Sequence, residues 1–294
     1  MYSDYMIKAI DNQHQIRVML ATTTRLVNEA RRRHNTSATA SAVLGRVLTA
    51  AVMMGTELKD EKAILTIRIN GNGLSGPIVA TADAQGHVRG LISNPQADLP
   101  SRYPGKLAVG EMVGKEGYIE VIKDLGLKQP FIGRVPLVSG EIAEDIAKYY
   151  LDSEQIPALV ALGVLVAPDL SIQVSGGLIV QAMPGADDTL LEKVENNIIR
   201  LTPISNVLKQ NSNLEDILAE IMEGIEYSAV GRMELAFECN CNQDRIGAII
   251  AGFDEREIKE IIEQYGKIEA VCNFCNEVYH FSLDDVKRIK SKKP

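Results

Sequence analysis

Apolar and polar positions alternate along much of the first 180 residues, and stretches of helical spacing interrupt the alternation. Leu65-Thr66-Ile67-Arg68-Ile69 gives a strand one apolar face and runs into the turn signal Asn70-Gly71-Asn72-Gly73. Pro77 to Ala82 and His87 to Ile92 flank Asp83-Ala84-Gln85-Gly86 and read as a hairpin. Tyr118 to Lys123 and Phe131 to Val135 read as another pair, broken by Gly126 and Pro130. Gly177 to Met183 is a last strand, stopped by Pro184-Gly185. Ile16 to Leu20 also reads as a strand, although only Arg17 in it is polar. Between these, Val43, Val47, Ala50, Ala51 and Met54 recur at helical spacing, while Ala38, Ser41, Ala42 and Gly45 form a small-residue face that would let a sheet approach closely. Ser139 is the expected cap of a further helix, with Glu141 near its positive end and Ile142, Ile146 and Tyr149 as its stripe. Hairpins with inserted helices predict an α+β domain on antiparallel sheet over residues 1–180.

The pattern then changes. From about 187 to 230 it is helical throughout, which predicts a helical linker over 181–231. Leu190, Leu191, Val194, Ile198 and Leu201 make one stripe; Thr202-Pro203 restarts the chain; Leu214, Ile217, Leu218, Ile221, Met222 and Ile225 make another, with acids between. Such short amphipathic helices are not stable alone and must bury their stripes against something. Residues 232–294 form a third part. Arg256 to Tyr265 reads as a helix closed by Gly266, Ile268 to Val271 and Val278 to Phe281 as extended segments, and Asp284-Asp285 as the start of a terminal helix.

Composition narrows the function. The 294 residues are 46% hydrophobic and 24% charged, ordinary values for a globular protein, with a net charge of −8. That charge argues against bulk nucleic acid as the main partner, and the one basic run, Lys287 to Lys293, reads as a solvated terminus. No basic, apolar leader opens the chain, and the apolar stretch Ala38 to Met54 contains Arg46 with several Ser and Thr, so it reads as a buried helix rather than a membrane span. No phosphate loop and no nucleophile elbow is present; Gly71, Gly73 and Gly76 suit turn geometry. No catalytic residue set is found, so the chain is not expected to be an enzyme.

Chemistry concentrates in the four cysteines, all in the last fifth: Cys239 and Cys241 as C-x-C, Cys272 and Cys275 as C-x-x-C. Two close thiol pairs about thirty residues apart can place four thiolates on one tetrahedral Zn2+. Paired thiols without a disulfide scaffold fit a reducing, cytoplasmic setting. Spacing alone does not choose between an inert structural zinc and a site that oxidises to disulfides. A thioredoxin-like oxidoreductase lacks its βαβ context here. His280, five residues beyond Cys275, reads as supporting structure rather than a ligand, since a fourth sulfur is already available.

Further motifs accompany the cysteines: Ser75-Gly76-Pro77, Gly86-His87-Val88-Arg89-Gly90, Asn94-Pro95 and Val135 to Ile142. They continue through Ser153-Glu154-Gln155 with Pro157, Gly176-Gly177 to Val180-Gln181 and Pro184, then Cys239-Asn240-Cys241 and Cys272-Asn273-Phe274-Cys275. By these residues the chain resembles, over essentially its whole length, the redox-regulated chaperones of the heat shock protein 33 family. Ala182-Met183 departs slightly from that pattern. The resemblance implies an ATP-independent holdase, inactive when one zinc sits on the four reduced cysteines. Oxidation would form Cys239–Cys241 and Cys272–Cys275 disulfides, release the metal, unfold the small domain and destabilise the linker. It implies unfolding client proteins as partners, a homodimer when oxidised, and hand-off to an Hsp70-type system, without membrane attachment. The stripe of Leu190, Leu191, Val194, Ile198, Leu214, Ile217, Leu218 and Ile221 is the candidate client surface. A competing reading, a zinc-ribbon protein bound to nucleic acid or the translation apparatus, needs basic residues beside the cysteines, where Glu238, Asp244 and Glu277 stand instead.

Overall fold

The alternating segments pair into two sheets in a computed structural model that describes residues 3–101, 105–201 and 203–291. The chain divides into two units, Met1–Glu238 and Cys239–Pro294. The first begins β1 (Tyr5–Asp11), β2 (Ile16–Thr22), α1 (Thr24–His34), α2 (Ala38–Gly55), β3 (Ile64–Asn70), β4 (Ile78–Asp83) and β5 (His87–Ile92). It continues with α3 (Val109–Val113), β6 (Tyr118–Asp124), β7 (Phe131–Pro136) and α4 (Ala143–Tyr149), which a π-helical turn prolongs to Glu154. Then come β8 (Ala158–Val166), β9 (Ile172–Ala182), α5 (Asp188–Ile199), α6 (Ile204–Gln210), α7 (Leu214–Ile221), β10 (Tyr227–Glu234) and β11 (Ala236–Phe237). One sheet has the order β10-β1-β2-β9-β8, the other β11-β5-β4-β3-β6-β7. Every pairing is antiparallel except the two-residue β11 beside β5. The expected α+β architecture on antiparallel sheet is what forms.

Helix α2 is the central element and packs on strands of both sheets. It is long and apolar enough to cross a membrane, yet 89% of that window is buried inside the unit. Its small-residue face does what the sequence predicts. A Cβ on Gly45 would stand 2.7 Å from Val27 Cγ1 and 3.0 Å from Val164 Cγ2, so α1 and β8 approach only because the side chain is missing.

Strands β1, β2 and β9 of the five-stranded sheet are buried on both faces, which explains why Ile16 to Leu20 shows no clean alternation. Met19 and Ala21 face the core around α2, whereas Ile16, Val18 and Leu20 face a second cluster. That second cluster is where α5, α6 and α7 lie. Val194, Ile198, Leu214, Ile217, Leu218 and Ile221 are buried against Tyr5, Ile7, Val18, Leu20, Leu178 and Val180, and Leu190 and Leu191 pack at its margin. Polar ties fix the helices in place. The Tyr5 hydroxyl donates to Glu215 at 3.0 Å and accepts the Leu214 N–H at 3.1 Å, and Asn197 Nδ2 donates to the Ile221 carbonyl at 3.0 Å.

Two local expectations are corrected. Helical character ends at Ile221; Tyr227–Glu234 is an edge strand on β1, because backbone pairing with β1 decides its conformation. Ser139 does not cap α4. The buried Asp145 carboxyl group instead accepts the N–H groups of Val138, Ser139 and Ile142 at 2.7, 3.2 and 2.9 Å, so residues 137–142, between β7 and α4, form a loop wound on one side chain. Thr202 and Lys292-Lys293 fall outside the described residues.

A buried acid gives this unit a pH dependence. Asp4, 4% exposed, accepts N–H groups from Leu26 at 2.7 Å and Arg25 at 3.1 Å, capping α1 where Thr23 does not. Burial pushes its carboxyl up to about 6, against the pull of those N–H groups and of Arg25. The folded state therefore holds this proton more tightly than the unfolded chain. Its contribution is full below about pH 4 and is lost as pH rises through 6, a swing of about 3 kcal/mol. Asp4→Asn removes the titration. Its urea midpoint relative to the parent should rise between pH 4 and 7; a constant difference would contradict this assignment.

Candidate metal centre

The second unit consists of α8 (Gln243–Ile250), α9 (Glu255–Tyr265), β12 (Ile268–Val271), β13 (Val278–Phe281) and α10 (Leu283–Ser291). Gly266, at φ 74°, closes α9, and β12 pairs with β13 from Ile268↔Phe281 to Val271↔Val278. The segment joining these strands carries Cys272 and Cys275. It folds as a tight knuckle: the N–H groups of Cys275 and Asn276 both donate to the Cys272 carbonyl, at 3.2 and 2.7 Å, with Asn276 in the left-handed region at φ 54°. Cys239 and Cys241 lie in the strand-to-helix entry before α8, a helix the sequence pattern does not announce. Asn242 caps it by accepting the Arg245 N–H at 2.8 Å, and Arg245 Nη1 donates to the Asn240 carbonyl at 2.9 Å. Asn240 and Asn242 are exposed, as the polar turn predicts. The apolar core is small: Ile250, Ile258, Ile268, Phe281 and Val286.

These two arms bring all four sulfurs within 4.8 Å of one another. Cys239 Sγ lies 3.8 Å from Cys272 Sγ, and Cys241 Sγ 3.3 Å from Cys275 Sγ. A tetrahedral ion with arms of about 2.3 Å separates its sulfurs by about 3.8 Å, so the donor set has the size and the soft chemistry for such a metal. The contacts are far longer than the S–S bond of about 2.05 Å, so the four thiols are reduced. Cys272 and Cys275 are buried, Cys239 and Cys241 half-buried. Burial pushes the Cys239 thiol up to about 11 and raises Cys275 as well. Burial also opposes ionisation of Cys241, but hydrogen bonds from Tyr279 and from the neighbouring thiols outweigh it and leave this thiol below its ordinary value. Without a cation, four crowded sulfurs cannot all ionise; a bound cation is what would let them.

His280 points away from the sulfurs. Its ring lies 3.6 Å from Glu269 and 3.5 Å from Lys267 Nζ. Tyr279 is the residue the sequence reading missed. Its hydroxyl donates to Cys241 Sγ at 3.2 Å. Period-two alternation could have revealed it, since Tyr279 shares a strand face with the buried Phe281.

Comparison with known proteins agrees with this arrangement. The family model described as Hsp33 protein matches residues 4–282. The chain is 44% identical to the 33 kDa chaperonin of Desulforamulus reducens over 97% of both chains. It is 45% identical to that of Oceanobacillus iheyensis, over 98% of this chain and 99% of the other. The crystal structure of the 33 kDa chaperonin (heat shock protein 33 homolog) of Thermotoga maritima superposes with a TM-score of 0.89 at 35% identity, covering 99% of this chain and 98% of that one. Matched from its first strand to the end of its last one, with the cysteine cluster inside the match, the chain belongs to the Hsp33 family.

Proposed function

We propose that this protein is a chaperone whose binding surface is controlled by the oxidation state of Cys239, Cys241, Cys272 and Cys275. The observation that carries the reading is the four-sulfur cluster at tetrahedral spacing in a unit with a five-residue buried core. One Zn2+ per chain, held by the four thiolates, supplies the folding energy that so small a core lacks. Two thiolates give two electrons to an oxidant such as hypochlorite or a peroxide and form a disulfide, whose sulfurs are poor metal donors. Pairing within each arm, Cys239 with Cys241 and Cys272 with Cys275, is the version that permits unfolding. Pairing across the arms would close a loop of about 34 residues and stabilise the unit by about 3–4 kcal/mol.

The chain itself transmits the loss. Strands β10 and β11 run directly into Cys239, and the segment 181–231 reaches them from α5, α6 and α7. Loosening this segment uncovers two matched apolar surfaces, the stripe from Leu190 to Ile221 and the sheet face of Val18, Leu20, Leu178 and Val180. Those are the surfaces proposed for unfolding client proteins. Relatives named chaperonins support clients as partners and stoichiometric binding rather than catalysis. A cytoplasmic, ATP-independent holdase, dimeric when oxidised and passing clients to an Hsp70-type system, completes the reading.

The test is light scattering from a thermally aggregating client. Reduced, zinc-loaded protein should fail to suppress it, and protein oxidised with hypochlorite and desalted should suppress it. Equal suppression by both would make the cluster merely structural, and suppression by neither would end the chaperone reading.

A further inference from the structure

One stretch of chain, Tyr227 to Glu238, closes an edge of each sheet. Its first part, β10, pairs along the whole of β1, from Tyr5↔Glu234 to Asp11↔Tyr227. The chain then crosses to the other sheet. The Leu235 N–H donates to the Asp4 carbonyl at 2.9 Å, the Ala236 N–H to the Gly86 carbonyl at 3.0 Å and the Glu238 N–H to the Val88 carbonyl at 2.9 Å. The crossing lies directly on the turn between β4 and β5, where a Cβ on Gly86, at φ 90°, would stand 2.4 Å from the Glu234 carbonyl oxygen.

Main-chain hydrogen bonds do most of the holding. Leu235, 6% exposed, is the only buried residue of this strap. Beside it, Arg232 lies over the Tyr5 ring at 4.0 Å and Arg33 over the Phe237 ring at 5.9 Å. A bulge at Val230, opposite the step from Lys8 to Ala9, interrupts the ladder. The seat is also roomier than its occupant. A cleft of about 720 Å³ is lined by α1 and by Glu234 to Phe237, and the buried Nε of Arg31, which lines it too, has no hydrogen-bond partner among the described residues. On β5 the strap reaches only His87 and Val88, and among the described residues no strand lies beside Arg89 to Ile92 on that edge. Main-chain groups point to alternate sides along a strand, so Gly90 and Ile92 present theirs to the same edge as Val88.

We propose that Tyr227 to Glu238 is a placeholder, and that the edges of β1 and β5 pair with extended segments of an unfolding polypeptide when it leaves. The proposal rests on the reading of the protein as a chaperone and adds backbone pairing to the apolar surfaces named there. The occupant follows from the chemistry of the seat. An edge reads N–H and C=O groups, which every polypeptide carries, and is largely indifferent to side-chain sequence. Folded proteins keep those groups paired. An unfolding chain offers them in extended stretches with apolar residues, one of which takes the place that Leu235 vacates. The strap ends at the residue before Cys239, so it is the part of the first unit nearest in the chain to the cysteines. Until it leaves, it also keeps both edges from pairing with those of other copies.

The experiment is amide hydrogen exchange, resolved to single residues, on the full chain in three states: reduced and zinc-loaded, oxidised, and oxidised with reduced, carboxymethylated α-lactalbumin as a permanently unfolded probe. Oxidation should speed exchange of the β1 amides that face β10, and of Val88, by roughly 10-fold or more. The probe should slow them again by a similar factor. It should also slow Gly90 and Ile92 below their rates in the reduced protein, while Arg89 and Leu91, which face β4, stay unchanged. That alternation distinguishes strand pairing from simple coverage. In a second arm, Leu235→Asp removes the one buried anchor and leaves the cysteines alone. Reduced and with its zinc retained, it should show the same fast exchange and the same protection by the probe. Edges that stay protected after oxidation, or a bound probe that leaves these amides fast, would overturn the proposal. An oxidised protein that does not bind the probe at all would instead remove the chaperone reading beneath it.

Discussion

Stripping zinc from the reduced protein with a chelator is expected to unfold Cys239–Pro294 while Met1–Glu238 stays folded. The magnitudes make this an all-or-none effect for the small unit. Its buried core is Ile250, Ile258, Ile268, Phe281 and Val286, and each such side chain contributes about 1.5–3 kcal/mol gross before chain entropy of about 1–2 kcal/mol per residue is subtracted. A structural zinc adds about 10–16 kcal/mol of apparent folding free energy. No rearrangement of five apolar side chains replaces that. The first unit has its own two clusters, and among the described residues the one group able to hold a metal lies in the second unit, so folding of the first does not draw on the ion. Far-ultraviolet circular dichroism should lose the contribution of α8, α9 and α10, amide resonances from 239–291 should collapse to unfolded shifts, and added zinc should restore both. Cys272→Ser should behave like the chelated parent. A small unit that stays folded without metal would show that the cluster is not what holds it together.

A second large effect is expected from Ile217→Asp. Ile217 is fully buried where α7 meets the five-stranded sheet, and an ionised carboxylate there lacks any partner. The cost exceeds about 3 kcal/mol, enough to detach short helices that are unstable alone. The substitution leaves the cysteines untouched. The variant should therefore keep its zinc, expose the segment 181–226 to proteolysis, and suppress client aggregation while still reduced. That combination would separate the sensor from the surface it controls. A variant with loosened helices and retained zinc that does not suppress aggregation would place client binding elsewhere on the molecule.

Legibility followed the local signal. Strands with one face in the core, such as Leu65 to Ile69, were readable because burial on one side imposes alternation. Strand β8, Ala158–Val166, is a continuous apolar run, and periodicity cannot assign such a run. Strand β1 packs on both faces and loses its alternation in the same way. Strand β10 is mostly exposed and contains Gly231, so its conformation comes from pairing with β1, more than two hundred residues away. In the cysteine site the four sulfurs were legible, because ligand chemistry is written in residue type and spacing. The Tyr279 contact was not, because it depends on how β13 lies against the entry to α8.

By itself the sequence determined the fold class, the positions of most helices and hairpins, and the identity of the four thiols, all of which depend on short-range periodicity or on chemistry carried by single residues. Only the tertiary structure decided that the stripes of α5, α6 and α7 are covered by a sheet face, that Asp145 rather than Ser139 organises the loop before α4, and that Cys241 alone of the accessible sulfurs receives a tyrosine hydroxyl. Those features arise where segments distant in the chain meet, and the free energy that selects them resides in neither segment alone.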